Sequence, residues 1–269
     1  MNTNEPDLIL PVFSMSCYDR TMPIYIAVVN QKGGVGKTST CVNLGAALVR
    51  QGFSVMAVDA DHQKSMTDWM LIRDPSGFPF PVMEMSHPQL HRKLPEIVGG
   101  SSYDFVLVDC PPGGEGKEKA ESVSRSAVML ADIVLVPLKP EPLDFMATGQ
   151  LKSLLRDISV FKPDMVTAVV INCRETVGNM SDEARDSAAD YLVEDGINLK
   201  VLKAEIYKRV VIAKSVIDGV TVFDFKPKPK YARESVQKAI EEYLALAKEV
   251  LECLNLQVPS EVCPDLVEA

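Results

Sequence analysis

A single junction sets most of what this chain can fold into. Ile24–Asn30 (IYIAVVN) is a short apolar run rich in β-branched residues, the pattern of a strand buried on both faces. Lys32-Gly33-Gly34-Val35-Gly36-Lys37-Thr38-Ser39 follows it directly. Thr38–Gln51 then carries helical spacing in Val42, Leu44, Ala46, Leu48 and Val49, and Gly52 supplies a helix-ending glycine. A strand running through a glycine-rich turn into a helix suits phosphate binding. Glycines let backbone N–H groups converge on phosphate oxygens, and the helix N-terminus adds its positive end. On that logic Gly33, Gly34, Val35, Gly36 and Ser39 line the phosphates of a nucleotide. Lys37 contacts the β- and γ-phosphates, and the Thr38 hydroxyl ligates Mg2+. The usual pattern Gly-x-x-x-x-Gly-Lys-Thr opens on glycine, but this chain has Gln31 there, so the loop is a variant.

Beyond the junction the pattern alternates. Strands are expected at Ser54–Asp59, Asp104–Asp109, Ile133–Pro137 and Val166–Asn172, with a short one at Lys200–Ala204. Helical stretches lie between, at about Ser65–Ile72, Lys117–Met129, Phe145–Ile158, Ser181–Glu194, Val211–Asp218 and Glu234–Leu254. Near-continuous apolar strands separated by helices predict an α/β fold: a single doubly wound, mostly parallel sheet with helices on both faces. Asp74–Pro95 holds five prolines and predicts long loops with one edge strand near Pro81–Met85. Residues 1–22 read as an N-terminal tail with a possible short strand at Leu8–Phe13, and Met22 is an alternative start. Residues 23–255 read as the nucleotide-binding domain and 256–269 as an acidic C-terminal tail.

Composition narrows the function. With 46% hydrophobic and 24% charged residues, the chain is an ordinary globular one. A net charge of −9 excludes a bulk polyelectrolyte binder, so any DNA contact needs a local basic patch. The six cysteines form no CxxC pair or Cys/His cluster, which argues against zinc or iron–sulfur and for reduced thiols in the cytoplasm. No apolar run reaches a membrane span, and no export signal is evident.

Another stretch, Tyr103-Asp104-Phe105-Val106-Leu107-Val108-Asp109-Cys110-Pro111-Pro112-Gly113, is an apolar strand ending in aspartate. That is a Walker B arrangement, with Asp109 reaching Mg2+ through water. Gly113, Gly114 and Gly116 allow the following segment to move. Cys110 reads as a small packing residue.

The KGGVGKT form resembles the deviant Walker A of the ParA/MinD group of ATPases, over roughly residues 23–255. The resemblance implies that Lys32 reaches across an ATP sandwich homodimer to the partner's phosphates, comparable to an arginine finger. It implies that in Asp59-Ala60-Asp61-His62-Gln63, Asp61 orients or activates the attacking water and Asp59 lies near the Mg2+ shell. Asp61 also suits a helix cap. It implies that Asn172 contacts adenine, although a turn asparagine fits the residue equally well. Asp-Cys-Pro-Pro-Gly resembles the family's switch II loop.

Charge is unevenly placed. Between Asn198 and Arg233 nine basic residues face three acidic ones, whereas Ile240–Ala269 holds seven acids against Lys248. A basic segment of this kind is the footprint of phosphate contacts. ParA relatives bind DNA without sequence preference through basic residues in this region, which here implies Arg209, Lys214, Lys226, Lys228, Lys230 and Arg233. Lys-Pro-Lys-Pro-Lys is a loop and could equally be a solvated one.

The resemblance is nearest to a small ParA without an N-terminal helix-turn-helix domain. It implies a cytoplasmic, nucleoid-associated ATPase, stimulated by a ParB-like protein, that segregates plasmid, integrative-element or chromosomal DNA. The acidic C-terminus with Pro259 and Pro264 disfavours the basic membrane helix of MinD-type relatives. One alternative is a ParA-like ATPase that positions a protein cargo, such as a carboxysome or chemoreceptor cluster. A more distant one is a small-molecule ligase, which the basic segment and Lys32 argue against.

Overall fold

In the computed structural model of the chain, residues 22–113, 117–141, 149–175, 197–227 and 230–258 are described. The expected strand at Leu8–Phe13, the helix at Ser181–Glu194 and both tails beyond these limits lie outside them.

The first core strand, β1 (Ile24–Val28), is followed by α1 (Lys37–Arg50) and β2 (Val55–Asp59). Then come α2 (Ser65–Leu71), the short β3 (Val82–Glu84), α3 (Leu90–Val98), β4 (Phe105–Asp109) and α4 (Glu118–Leu130). The second half holds β5 (Ile133–Leu138), α5 (Gly149–Ser159), β6 (Val166–Arg174), β7 (Asn198–Tyr207), α6 (Val210–Ile217) and α7 (Lys230–Cys253). The strands form one seven-stranded sheet in the order β3-β2-β4-β1-β5-β6-β7, every pair parallel.

The two-residue period of β1 explains the layering. Ile24, Ile26 and Val28 point to one face, where α1 and α7 bury them with Leu44, Leu48 and Tyr243. Tyr25, Ala27 and Val29 point to the other, against Leu90, Leu94, Val123 and Leu151 of α3, α4 and α5. A fully buried Val, Leu or Ile contributes about 1.5–3 kcal/mol, so two such layers hold the sheet firmly between helices.

β1 lies between β4 and β5, where the winding of the chain reverses. In an open parallel sheet the crevice at the strands' carboxyl ends at such a point is the ligand site. Register carries Asp59 and Asp109 to the same level, as the paired last residues of β2 and β4.

Two expectations are corrected. The strand expected at Lys200–Ala204 runs from Asn198 to Tyr207, because β6 offers a longer parallel edge with two register shifts. Part of the proline-rich insert is helical: Leu90, Leu94 and Val98 recur every four residues, all buried, and α3 accommodates Pro95. The density of prolines hid that period.

Candidate nucleotide site

Asn30, 1% exposed at the end of β1, shapes the entrance to the loop. Its Nδ2 donates to the Pro137 carbonyl at 2.8 Å and its Oδ1 accepts from the Lys32 N–H at 2.9 Å. Val35 is fully buried and anchors the loop's middle. Gly34 and Gly36 take positive φ of 74° and 86°, which glycine alone adopts without strain. A Cβ at Gly33 or Gly34 would meet nothing within 4 Å, so the outer rim is an open cradle. Beneath it α1 begins with no side-chain cap and no acid in its first turn. Its first N–H groups and positive dipole end therefore face the cradle uncompensated, as an anion site requires.

The two loop lysines differ in exposure and in contacts. Lys37 is buried, and its Nζ donates to the Lys32 carbonyl at 3.1 Å. Burial lowers its pKa, opposed chiefly by the Asp109 charge. The side chain of Lys32 is 37% exposed, and its Nζ lies 3.9 Å from Glu141 Oε2.

The Thr38 hydroxyl donates to Asp109 Oδ2 at 2.6 Å. Asp109 Oδ1 is buried and, among the described residues, has no hydrogen-bond partner. Burial pushes this carboxyl up to about 7, with Asp59 adding to the rise and the Thr38 bond and Lys37 opposing it. An orphaned carboxylate oxygen beside a threonine hydroxyl, in an acidic pocket under a phosphate cradle, fits a hard divalent cation. Thr38 and Asp109 are the residues that would hold Mg2+, and the loop would hold the nucleotide's phosphates.

Asp59 stands beside this position but is otherwise engaged. Its Oδ2 accepts from the Met66 and Thr67 N–H groups at 3.1 and 2.9 Å and from Thr67 Oγ1 at 3.1 Å, and its Oδ1 from the Asp61 N–H at 3.2 Å. Instead of standing open to Mg2+, it caps the start of α2 from the strand before it. Asp61 is 14% exposed, and its Oδ1 accepts from the Gln63 N–H at 3.0 Å. Its carboxylate sits on the turn that enters α2, at the edge of the crevice.

Asn172 is corrected more sharply. It is 3% exposed and lies behind the loop. Its Nδ2 donates to the Val35 carbonyl at 2.7 Å and Thr40 Oγ1 at 3.2 Å, and its Oδ1 accepts from the Cys173 N–H at 2.8 Å. Both amide hydrogens are spent on bracing the loop. Burial and the Asp109 charge raise the Cys110 thiol, so it stays a neutral packing group. Of the segment expected to be switch II, Pro111–Gly113 lies over the loop, where a Cβ on Gly113 would meet Gln31 Cγ at 3.1 Å. Residues 114–116 lie outside the described ones.

The basic segment divides. Arg209 donates through Nε to Glu242 Oε1 at 3.0 Å and through its guanidinium to the same oxygen, and both side chains are nearly buried. It pins α6 to α7 and is not presented to phosphate. Removing one partner of such a pair costs about 3–5 kcal/mol. We therefore expect Arg209→Ala to lower the melting temperature markedly and Lys214→Ala to leave it unchanged, as read by calorimetry. Lys214, Lys226 and Arg233 are exposed, whereas Lys228 and the side chain of Lys230 lie outside the described residues.

Asn30 and the Arg209–Glu242 pair were not singled out in the sequence. An asparagine closing an otherwise apolar strand was the available signal for the first. Nothing local announces the second, since its partners are 33 residues apart.

This sheet, loop and acidic pocket define a nucleotide-binding protein of the P-loop class. Residues 26–222 match the family described as the CobQ/CobB/MinD/ParA nucleotide binding domain, and the chain belongs to that family of ATPases. It is 27% identical over 222 residues to the maintenance of carboxysome distribution protein A of Halothiobacillus neapolitanus, covering 81% of this chain and 95% of that protein. It is 25% identical over 269 residues to the sporulation initiation inhibitor protein Soj of Bacillus subtilis, covering 84% and 97%. Among solved structures, the ATP complex of a substituted Cyanothece McdA superposes with a TM-score of 0.65 at 12% identity, covering 90% of this chain and 100% of that one. The Pyrococcus horikoshii septum site-determining protein MinD, complexed with Mg-ADP, gives 0.61 at 18%, covering 92% and 100%. At these identities the superpositions establish the fold. Among the described residues no helix is long and apolar enough to cross a membrane.

Proposed function

We propose that this protein is an ATP-driven positioning switch of ParA type that grips DNA without sequence preference in its ATP-bound, dimeric state. The observation that carries the reading is the different placement of the two loop lysines. Lys37 is buried and donates to the Lys32 carbonyl, while the Lys32 side chain is 37% exposed with its Nζ 3.9 Å from Glu141. A rim lysine so placed suits contact with the phosphates of a second subunit's nucleotide.

Bound Mg2+ would supply charge neutralisation at the β- and γ-phosphates. The chain's own residues do the rest. Gly33–Thr38 orient the phosphates through backbone N–H groups, and Asn172 and Asn30 keep that backbone rigid. Lys37 holds positive charge at the γ-phosphate, and Asp61, at the mouth, takes the position for orienting water. Thr38 and Asp109 keep their oxygens aimed at the cation position. Lys214, Lys226 and Arg233, with Lys228 and Lys230, supply the phosphate contacts to DNA. A ParB-like protein would accelerate hydrolysis and so release the dimer.

A second reading, positioning of a protein cargo, is favoured by the similarity to carboxysome distribution proteins. Both readings share the ATP-dependent grip on DNA, so that grip is the property to test. A random-sequence duplex should bind in ATP and fail to bind in ADP or without nucleotide. Binding should weaken steeply with salt and vanish in both Lys32→Ala and Lys37→Ala. A chain that binds ATP but no DNA in any state would overturn the proposal.

A further inference from the structure

Within the segment rich in basic residues, α6 presents an apolar face. On α6 the exposed residues are Val210, Ala213, Lys214 and Ile217, at spacings of three, four and seven. Val210 is 69% and Ile217 72% exposed, while Val211 and Ser215 face inward. The apolar strip continues onto the end of α2, where Ile72 is 50% exposed and lies over Gly219, whose added Cβ would come within 2.7 Å of Ile72 Cβ. Beside Gly219 opens a cleft of about 1170 Å³ lined by Arg73, Val220, Phe223, Lys226 and Val258 among others. A contiguous exposed apolar strip of this kind marks a docking surface.

Val258 is 44% exposed in this cleft, and the chain continues from it as Pro259–Ala269. That segment carries Val262, Leu266 and Val267 for the strip and Glu261, Asp265 and Glu268 for cations, with no basic residue. Around the cleft Asp74 accepts from the Ser76 N–H, and Asp224 is held by Arg50 and Thr221. Arg73, Lys226 and Asp218 also line the cleft, and Lys214 is exposed on the strip. Extended, the segment reaches about 36 Å, whereas α6 is only about 12 Å long. Tethered so closely, it acts at roughly millimolar effective concentration.

We infer that residues 259–269 dock on this cleft and on the exposed face of α6, covering Ile217 and neutralising Lys214 and Lys226. The docking stands on the surface alone. Its consequence, competition between the tail and DNA, rests on the DNA-binding reading above.

The test uses the full chain carrying Ile217→Cys under reducing conditions. The rate of maleimide labelling at position 217 is read by peptide mass spectrometry, with the native tail and with Val262→Ser/Leu266→Ser/Val267→Ser. The serine tail keeps every charge, so a change reports docking rather than long-range electrostatics. Labelling is expected to accelerate about three- to tenfold with the serine tail. Equal rates would overturn the inference. So would protection that grows with protein concentration regardless of the tail, which would assign the strip to contact between copies. In parallel, ATP-state DNA affinity should tighten several-fold with the serine tail. Tail-dependent protection without any DNA binding would uphold the docking and overturn the DNA reading instead.

Discussion

Gly36→Ala is expected to abolish ATP binding. Two independent costs meet at this position. The φ of 86° is strained for any residue with a Cβ, at roughly 1–2 kcal/mol. The new Cβ would also fall 2.3 Å from Asn172 Nδ2, well inside contact distance. Asn172 must then leave, and its bonds to Val35 and Thr40 go with it. Each is worth about 1 kcal/mol net, and the freed groups are buried. The loop therefore loses both its curvature and its brace, and the N–H groups no longer converge. Calorimetric titration should register at least a roughly 100-fold loss of ATP affinity, with a melting temperature several degrees lower. The double variant Gly36→Ala/Asn172→Ala removes the clash but keeps the strained φ. It should regain part of the stability and none of the ATP binding. An alanine variant that binds ATP within about threefold of the parent would show that this loop is not the phosphate cradle.

Asp109→Asn is expected to separate stability from function. Burial raises the folded-state pKa of Asp109 to about 7, from an ordinary 3.8. Between those values the folded protein holds a proton that the unfolded chain has released. Stability contributed by this group is therefore full below the lower value and lost as pH rises through the higher one. At about pH 8 the nucleotide-free protein carries a buried charge whose cost, with the Lys37 offset already counted, is on the order of 4 kcal/mol. Asparagine keeps an acceptor for Thr38 and cannot ionise. The variant should melt higher than the parent at about pH 8 without nucleotide, and its drop in stability from about pH 5 to pH 8 should shrink. The parent should gain thermal stability from ATP with Mg2+ and lose much of that gain in EDTA, whereas the variant should gain little in either. A variant that melts lower at alkaline pH and still responds fully to Mg2+ would remove Asp109 from the cation position.

These two residues mark the division between sequence and tertiary structure. Local spacing was enough for the strand–loop–helix junction, because convergence of backbone N–H groups needs only glycines at given offsets and a helix directly after them. The same holds for Asp109 at a strand's end, and for a parallel sheet implied by buried strands alternating with helices. Pairing across the chain was not legible. Asn172 was expected at the base and instead braces the loop, since only the packing of β6 against β5 carries it behind Val35. Asp59 stands beside the cation position, as expected, but its carboxylate is also taken up in capping α2, because the chain folds back over it within eight residues. Arg209 was expected on DNA and instead meets Glu242, because α7 runs beneath the end of β7. By itself the sequence determined the nucleotide loop and the class of sheet that carries it, since both depend on residues adjacent in the chain. The tertiary structure alone decided which polar side chains remain available to a ligand, because a buried hydrogen-bonding group takes its nearest partner, and that partner is set by packing between distant segments.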